Sequence, residues 1–227
     1  MVRLARISLL VAIVVAVHAG DARAQAPTQL VTFTGKISPA DVPATPFCEG
    51  AKYVLDCSGA IPGGQTGIPV RSDQLDLSKL VGEVLEYSGG WTPGPCTSLD
   101  VFSAAKPVAT LVRCGNPVPG CQIRFRVGPS GEIGQWVLYF SAAPAFLPLG
   151  EDATLLLSAP QFLASGLLFG DTATYDVSIP PDISLTGVNL WFQGTRQSIG
   201  PVGPLRLTNA ECLTIWGPSP PCVLLDC

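Results

Sequence analysis

Histidine is nearly absent from this chain. The only one is His18, near the N-terminus, and no two cysteines have the C-x-x-C spacing of a zinc or haem site. A G-x-S-x-G nucleophile elbow and a complete phosphate-binding loop are also missing. Because Ser-His-Asp and Cys-His catalysis need an imidazole base, few familiar active sites remain. We expect no enzyme activity, no bound metal and no cofactor.

The first residues have the layout of a secretory signal peptide. Arg3 and Arg6 precede an apolar run of about eleven residues, too short for a membrane span of roughly 20 residues. Small residues at Ala22 and Ala24 predict cleavage after Ala24, with Ala19 as the alternative. Residues 1–24, including His18, are therefore expected to be removed, and no membrane span remains afterwards.

Charge is also scarce. Charged residues make up 13% of the chain, with 13 Lys and Arg against 17 Asp and Glu, a net charge of −4. Removing the signal peptide changes this to about −6, because it takes away three arginines and one aspartate. An acidic chain with few cations is a poor binder of phosphate backbones, so we expect no nucleic-acid partner. The low charge also argues against disorder.

Cysteine, in contrast, is plentiful, and an even number in an exported chain predicts disulfides. The candidates are Cys48, Cys57, Cys96, Cys114, Cys121, Cys212, Cys222 and Cys227. Eight cysteines allow 105 pairings. Proximity in sequence favours three short-range pairs and one long-range pair: Cys48–Cys57, Cys96–Cys114, Cys222–Cys227 and Cys121–Cys212.

Twenty-four glycines and 22 prolines are spread between short apolar runs, which predicts an all-β fold. The predicted strands cover 30–37, 52–57, 67–72, 82–88, 98–103, 108–113, 122–127, 135–140, 153–157, 173–179, 187–193 and 205–216. One helix is predicted at 73–81, where Leu77, Leu80 and Val81 have i, i+3, i+4 spacing after a Ser72 or Asp73 cap. A helical turn is predicted at 160–165.

Residues 29–114 resemble an OB-fold, a small, partly open barrel. The resemblance rests on the order of strands, a short helix, and strands that restart after Gly82. Residues 115–121, rich in turn residues, are predicted as a linker. Residues 122–217 are predicted as an antiparallel β-sandwich and residues 218–227 as a cysteine-containing tail.

The second half resembles a C-terminal β-domain of uncharacterised exported bacterial proteins. The shared marks are Gly134-Gln-Trp136, Pro148-Leu-Gly150 followed by Thr154-Leu-Leu-Leu157, a run from Leu185 to Gln193, and Leu207-Thr-Asn-Ala210. The resemblance spans about residues 122–216 and departs at Glu151-Asp152, where a neutral turn would be expected. It implies a secreted bacterial origin, carries no known activity, and transfers no functional residue.

Carboxylates are the remaining catalytic side chains, because a facing pair can hydrolyse a glycosidic bond. The candidates are Asp56, Glu83, Glu86, Asp171, Asp176 and Glu211. The simpler explanation is that each is a solvated strand or turn residue. Glu151 with Asp152, or Asp171 with Asp176, could bind calcium, but neither pair has the spacing of a calcium loop.

Aromatic side chains offer another way to bind a ligand. Trp91 lies in a Gly/Pro-rich turn, and with Tyr87 and Phe102 it forms a candidate sugar-binding surface. The alternative is that Trp91 folds back over the barrel end beside Cys96. Trp191 is out of phase with the apolar residues of its strand and is expected to cover another surface. Trp136 and Trp216 fit core positions.

These expectations favour a non-enzymatic protein, secreted or periplasmic, with a structural or binding role. An envelope protein or an extracellular glycan is the expected partner. The alternative is a carbohydrate-binding module that uses exposed aromatics, and a weaker one is a small carboxylate-dependent hydrolase.

Overall fold

A computed structural model describes residues 28–40, 51–58, 67–92, 98–128, 133–150, 152–169, 172–198, 205–217 and 221–222. The predicted signal peptide, Cys48, Cys96, Cys227, Glu151 and Asp171 lie outside these ranges. The described residues are almost entirely β-structured, as the sequence predicts. No helix among them is long and apolar enough to cross a membrane.

Five strands form a closed barrel in the order β1-β2-β3-β5-β4. They are β1 (Gln29–Pro39), β2 (Tyr53–Asp56), β3 (Gly67–Arg71), β4 (Val84–Thr92) and β5 (Ser98–Ala105). Neighbouring strands are antiparallel except β3 and β5, whose parallel pairing joins Val70 to Leu99. The sequence predicts a partly open barrel, but this pairing closes it.

Alternation along β1 shows why the barrel forms. Val31, Phe33 and Ile37 point into the barrel core, while Lys36 is exposed. Glycine allows close approach where strands cross, since a Cβ on Gly35 would lie 2.3 Å from Cδ1 of Leu55. Such close approach is a common use of glycine within a strand.

The remaining strands form two packed sheets and a hairpin. The sheets have the orders β11-β8-β13-β14 and β12-β7-β6, and β9 pairs with β10. The strands are β6 (Thr110–Cys114), β7 (Gln122–Gly128), β8 (Gly134–Ser141), β9 (Pro144–Pro148), β10 (Thr154–Leu157), β11 (Gln161–Leu168), β12 (Ala173–Ser178), β13 (Asn189–Ser198) and β14 (Leu205–Thr214). The predicted antiparallel sandwich is thereby confirmed.

The four-stranded sheet has apolar side chains on both faces. Phe192 packs into the sandwich core, whereas its neighbour Trp191 packs into the barrel core on the opposite side. Phe146 and Leu156 of the β9–β10 hairpin join the same barrel core. Trp191 therefore covers a second surface, as its phase predicts. The barrel and the sandwich share one apolar interface.

Several predicted local structures are wrong. The predicted helix at 73–81 is reduced to a 3-10 helix, Leu77–Lys79. Ser72 accepts hydrogen bonds from the N–H groups of Gln74 and Leu75, a local turn that competes with helix formation. The predicted helical turn at 160–165 lies largely in strand β11, where tertiary pairing with β8 overrides local propensity.

The end of the barrel also differs from the predicted domain end at residue 114. The sequence assigns the strand before Cys114 to the barrel domain, but β6 pairs with β7 in the sandwich. The change from barrel to sandwich therefore comes between β5 and β6, before the predicted linker at 115–121. Trp216, predicted in a core, is 48% exposed, whereas Trp136 is buried as expected.

Disulfides connect distant parts of the chain. Cys57, which follows β2, is bonded to Cys212 on β14, and Cys121 is bonded to Cys222. The predicted pairs Cys48–Cys57, Cys121–Cys212 and Cys222–Cys227 are therefore wrong. Cys114 is also disulfide-bonded. Tertiary packing, and not proximity in sequence, selects the partners.

Candidate functional site

The three predicted aromatic ligand residues do not share a surface. Tyr87 is fully buried in the barrel core and stacks on Phe33, with ring centroids 5.4 Å apart. Trp91 is half-buried against Phe146 at a centroid distance of 5.5 Å. Only Phe102 is exposed on the outer wall of the barrel. Tyr87 therefore presents no ring face to a ligand.

Phe102 borders an open groove on the outer wall of the barrel. Two adjoining depressions, of about 500 and 430 Å³, share Arg71, Ser72 and Asp73. This barrel-wall groove is lined by Lys52, Tyr53, Val70, Arg71, Ser72, Asp73, Gln74, Leu75, Asp76, Leu77, Asp100, Val101 and Phe102. Each depression has a volume in the range of small-molecule pockets.

The parallel pairing of β3 and β5 builds the centre of this groove. It sets Arg71 opposite Asp100, and two positions further along β5 places Phe102 on the same outward face. Leu99 and Val101 alternate inward to the barrel core. The strand register thus places a cation, an acid and an aromatic ring side by side.

The Arg71 guanidinium forms a two-pronged ion pair with Asp100. Its Nε donates to Oδ1 and its Nη2 donates to Oδ2 at 3.0 Å. The hydrogen bond with Asp100 raises the pKa of Arg71, and the nearby Asp73 charge adds to this effect. Such paired geometry holds a half-exposed guanidinium in one orientation, with N–H donors left for a ligand.

The charge of the groove selects against anions. Lys52 and Arg71 are outnumbered by Asp73, Asp76 and Asp100, and Arg71 is already paired. An exposed ring beside fixed donors and acceptors suits a neutral, hydroxyl-rich ligand better than a phosphate chain.

The candidate carboxylates are distributed over several environments. Asp176 is paired with Arg124 at 2.7 Å, which lowers its pKa. Glu86 and Asp152 line a depression of about 10 Å³, enough for about one water molecule. The two acidic pairs considered as alternative calcium ligands, Glu151 with Asp152 and Asp171 with Asp176, each include one residue outside the described ranges. No group of three potential metal ligands occurs in the described ranges.

One pair of candidate acids lies at the barrel–sandwich interface. Asp56 accepts a 2.9 Å hydrogen bond from Ser38 and lies 3.6 Å from Nζ of Lys36. Burial raises the pKa of Glu211, and the Asp56 charge raises it further, while Arg113 and Lys36 oppose the change. Neither acid lines a cavity described above. Their surroundings are those of a compensated charge cluster next to the Cys57–Cys212 bond.

Sequence reasoning missed an apolar opening at one end of the sandwich. It has a volume of about 240 Å³ and reaches core residues such as Ile123, Phe192 and Leu213. Because those residues also fit ordinary core positions, periodicity gives no signal for the opening. It depends on the gap that the packed sheets leave.

Comparison with known proteins gives no family model and no curated protein that matches this chain.

Proposed function

We propose that this chain is an exported, non-enzymatic binding protein whose ligand site is the barrel-wall groove. The groove carries the proposal, because it sets the exposed Phe102 ring beside the oriented Arg71–Asp100 pair. The disulfides fit an oxidising compartment outside the cytoplasm. Export through residues 1–24 and a bacterial origin are parts of the same proposal.

The rigid framework supports a binding role. The Cys57–Cys212 bond joins the barrel to the sandwich, and Thr154 donates a 2.8 Å hydrogen bond to the carbonyl of Thr32 across the same interface. A site on a rigid body loses little conformational entropy when a ligand binds. The groove can therefore bind a ligand without a conformational change of the barrel.

A hydroxyl-rich glycan is the ligand class that the groove favours. The strand order and the parallel β3–β5 pairing support the resemblance to OB-folds, which use the face of strands 2 and 3 to bind oligosaccharides or oligonucleotides. Tyr53 on β2 and Arg71 on β3 lie on that side of the barrel. The shortage of unpaired cations favours the oligosaccharide.

A glycan array followed by calorimetry on the purified, oxidised protein tests this proposal. We expect Phe102→Ala to weaken binding about tenfold or more, because a buried aromatic contact contributes about 1.5–3 kcal/mol. Trp216→Ala is the matched control, since Trp216 is a similarly exposed aromatic that does not line the groove.

Two outcomes contradict the proposal. Glycan binding that Phe102→Ala and Arg71→Ala leave unchanged would place the site elsewhere. Sustained hydrolysis of a glycan or ester, abolished by Glu211→Gln or Asp56→Asn, would favour the carboxylate-dependent hydrolase instead.

A further inference from the structure

Strand β11 is an edge strand with open hydrogen-bonding capacity. It pairs with β8 on one side, and no other strand in the described part of the chain pairs with its outer side. About half of the peptide groups of an edge strand point away from the sheet, where they can template pairing with another chain. β11 has eight residues, long enough for such pairing.

The side chains of β11 lack the features that usually protect an edge. Phe162 and Leu167 are 63% and 55% exposed, and Phe169, just after the strand, is 71% exposed. No charged residue occurs anywhere from position 153 to position 170. Native proteins commonly protect exposed edges with lysine, proline, inward-pointing charge or a β-bulge. β11 has a bulge between Phe162 and Ala164, but its pairing register with β8 is regular from Ala164 to Leu168.

The other edges differ from β11. The outer strand of the three-stranded sheet, β12, carries Asp176 in an ion pair with Arg124. At the far edge of the four-stranded sheet, β14 contacts β1 and β6. Strand β9 of the two-stranded hairpin also exposes an apolar side chain, Leu147, but it is shorter than β11 and is bounded by Pro144 and Pro148. Among the edge strands, β11 is therefore the longest one that combines exposed apolar side chains with the absence of charge.

We propose that β11 pairs with β11 of a second copy of this chain, antiparallel and about a two-fold axis. Antiparallel pairing of a strand with itself is self-complementary, as a closed dimer requires. The two strands meet without like-charge repulsion, although each chain is acidic overall. A strongly charged partner, in contrast, would find no complementary charge on this strand.

The available area sets the strength of the dimer. Phe162, Leu167, Phe169 and Ile133, the residue before β8, expose roughly 400 Å² of side-chain surface per copy. A standard interface buries about 800 Å² per partner, which is about twice this side-chain surface. An interface below the standard size is expected to be weak, so the dimer should form only as the protein concentration rises.

Sedimentation velocity over a micromolar concentration series tests the pairing. The wild-type protein is expected to shift from monomer to dimer, and Leu167→Lys to raise the dissociation constant about a hundredfold. The substitution occurs twice in a symmetric dimer, and each buried leucine contributes about a factor of ten. Leu205→Lys, an exposed leucine on β14, is the control and leaves dimerisation unchanged.

A second variant and a second measurement guard against misfolding. Ser165→Lys places a charge on an exposed position of β11 without removing an apolar side chain, and should also abolish the dimer. Hydrogen exchange should show β11 amides that become protected as concentration rises.

The proposal is overturned by a wild-type monomer throughout the series, or by open-ended aggregates in place of a dimer. It is also overturned if β11 amides are protected in the monomer, which would mean that another part of the same chain covers the edge. Equal dimerisation of Leu167→Lys and Leu205→Lys would likewise refute it.

Discussion

Replacing Tyr87 with phenylalanine is expected to stabilise this protein, and to stabilise it more at high pH than at neutral pH. The Tyr87 side chain is fully buried on β4, and its hydroxyl has no hydrogen-bond partner among the described residues. Its ring stacks on Phe33, a contact that phenylalanine preserves. The substitution therefore removes an unsatisfied polar group and keeps the packing.

The neutral-pH effect follows from desolvation. A buried, unpaired hydroxyl costs about 1–3 kcal/mol, and the small void left by its removal costs a few tenths of a kcal/mol. We expect the variant to be about 1–2 kcal/mol more stable at pH 7.

The alkaline effect follows from linkage. Burial, aided by the charges of Asp56 and Glu83, raises the pKa of Tyr87 from 10.0 to about 12. The folded state therefore retains this proton where the unfolded state loses it, and stability falls as pH rises above 10. At pH 11 the wild-type protein loses about 1.3 kcal/mol through this group, and the variant loses none of it.

Urea unfolding followed by tryptophan fluorescence at pH 7 and pH 11 measures both effects. Tyr175→Phe is the control at pH 7, because that side chain is only half-buried and its hydroxyl removal should leave stability unchanged. A Tyr87→Phe variant less stable than wild type, or a stability difference that is the same at both pH values, would refute this reasoning.

Two further predictions concern the interface between barrel and sandwich. Cys57→Ala with Cys212→Ala should lower the free energy of unfolding by up to about 5 kcal/mol, because the bond spans 155 residues of sequence. A decrease of less than about 1 kcal/mol in the free energy of urea unfolding would contradict a stabilising role for this disulfide. Glu211→Gln should stabilise the protein at pH 7, since the raised pKa of Glu211 means that its charged form is disfavoured by burial. The gain should vanish well below the ordinary glutamate pKa of 4.5, where both states are protonated, and a gain that persists there in unfolding titrations would exclude burial of charge as its cause.

Motif residues that the sequence singles out have structural roles. The Gln193 amide accepts a hydrogen bond from the N–H of Leu156 at 2.8 Å and donates to the carbonyl of Thr208 at 2.9 Å. Asn209 accepts from the N–H of Leu111 and donates to its carbonyl, which joins β14 to β6. These side-chain amides form hydrogen bonds with backbone N–H and carbonyl groups of other strands. Gln193 and Asn209 therefore have structural roles, since their amides link neighbouring strands of the fold.

Local alternation was enough to locate most strands. Ile123, Phe125 and Val127 point into the core of the sandwich as their spacing predicts, because side chains of a strand alternate between its two faces. The same rule predicts that Trp191 faces away from Phe192. Alternation did not predict strand β9, because Pro144 and Pro148 lie at its two ends and proline is typical of loops.

Which strands pair and which cysteines bond, in contrast, depends on contacts between residues far apart in sequence. The sequence determined that this chain is β-structured, poor in catalytic side chains and able to form disulfides, because those properties follow from composition and short-range spacing. Only the tertiary structure decided that β3 pairs with β5, that β6 joins the sandwich, and that Cys57 bonds Cys212. The same long-range packing buries Tyr87 and leaves Phe102 beside Arg71, which moves the candidate site from the barrel end to its wall.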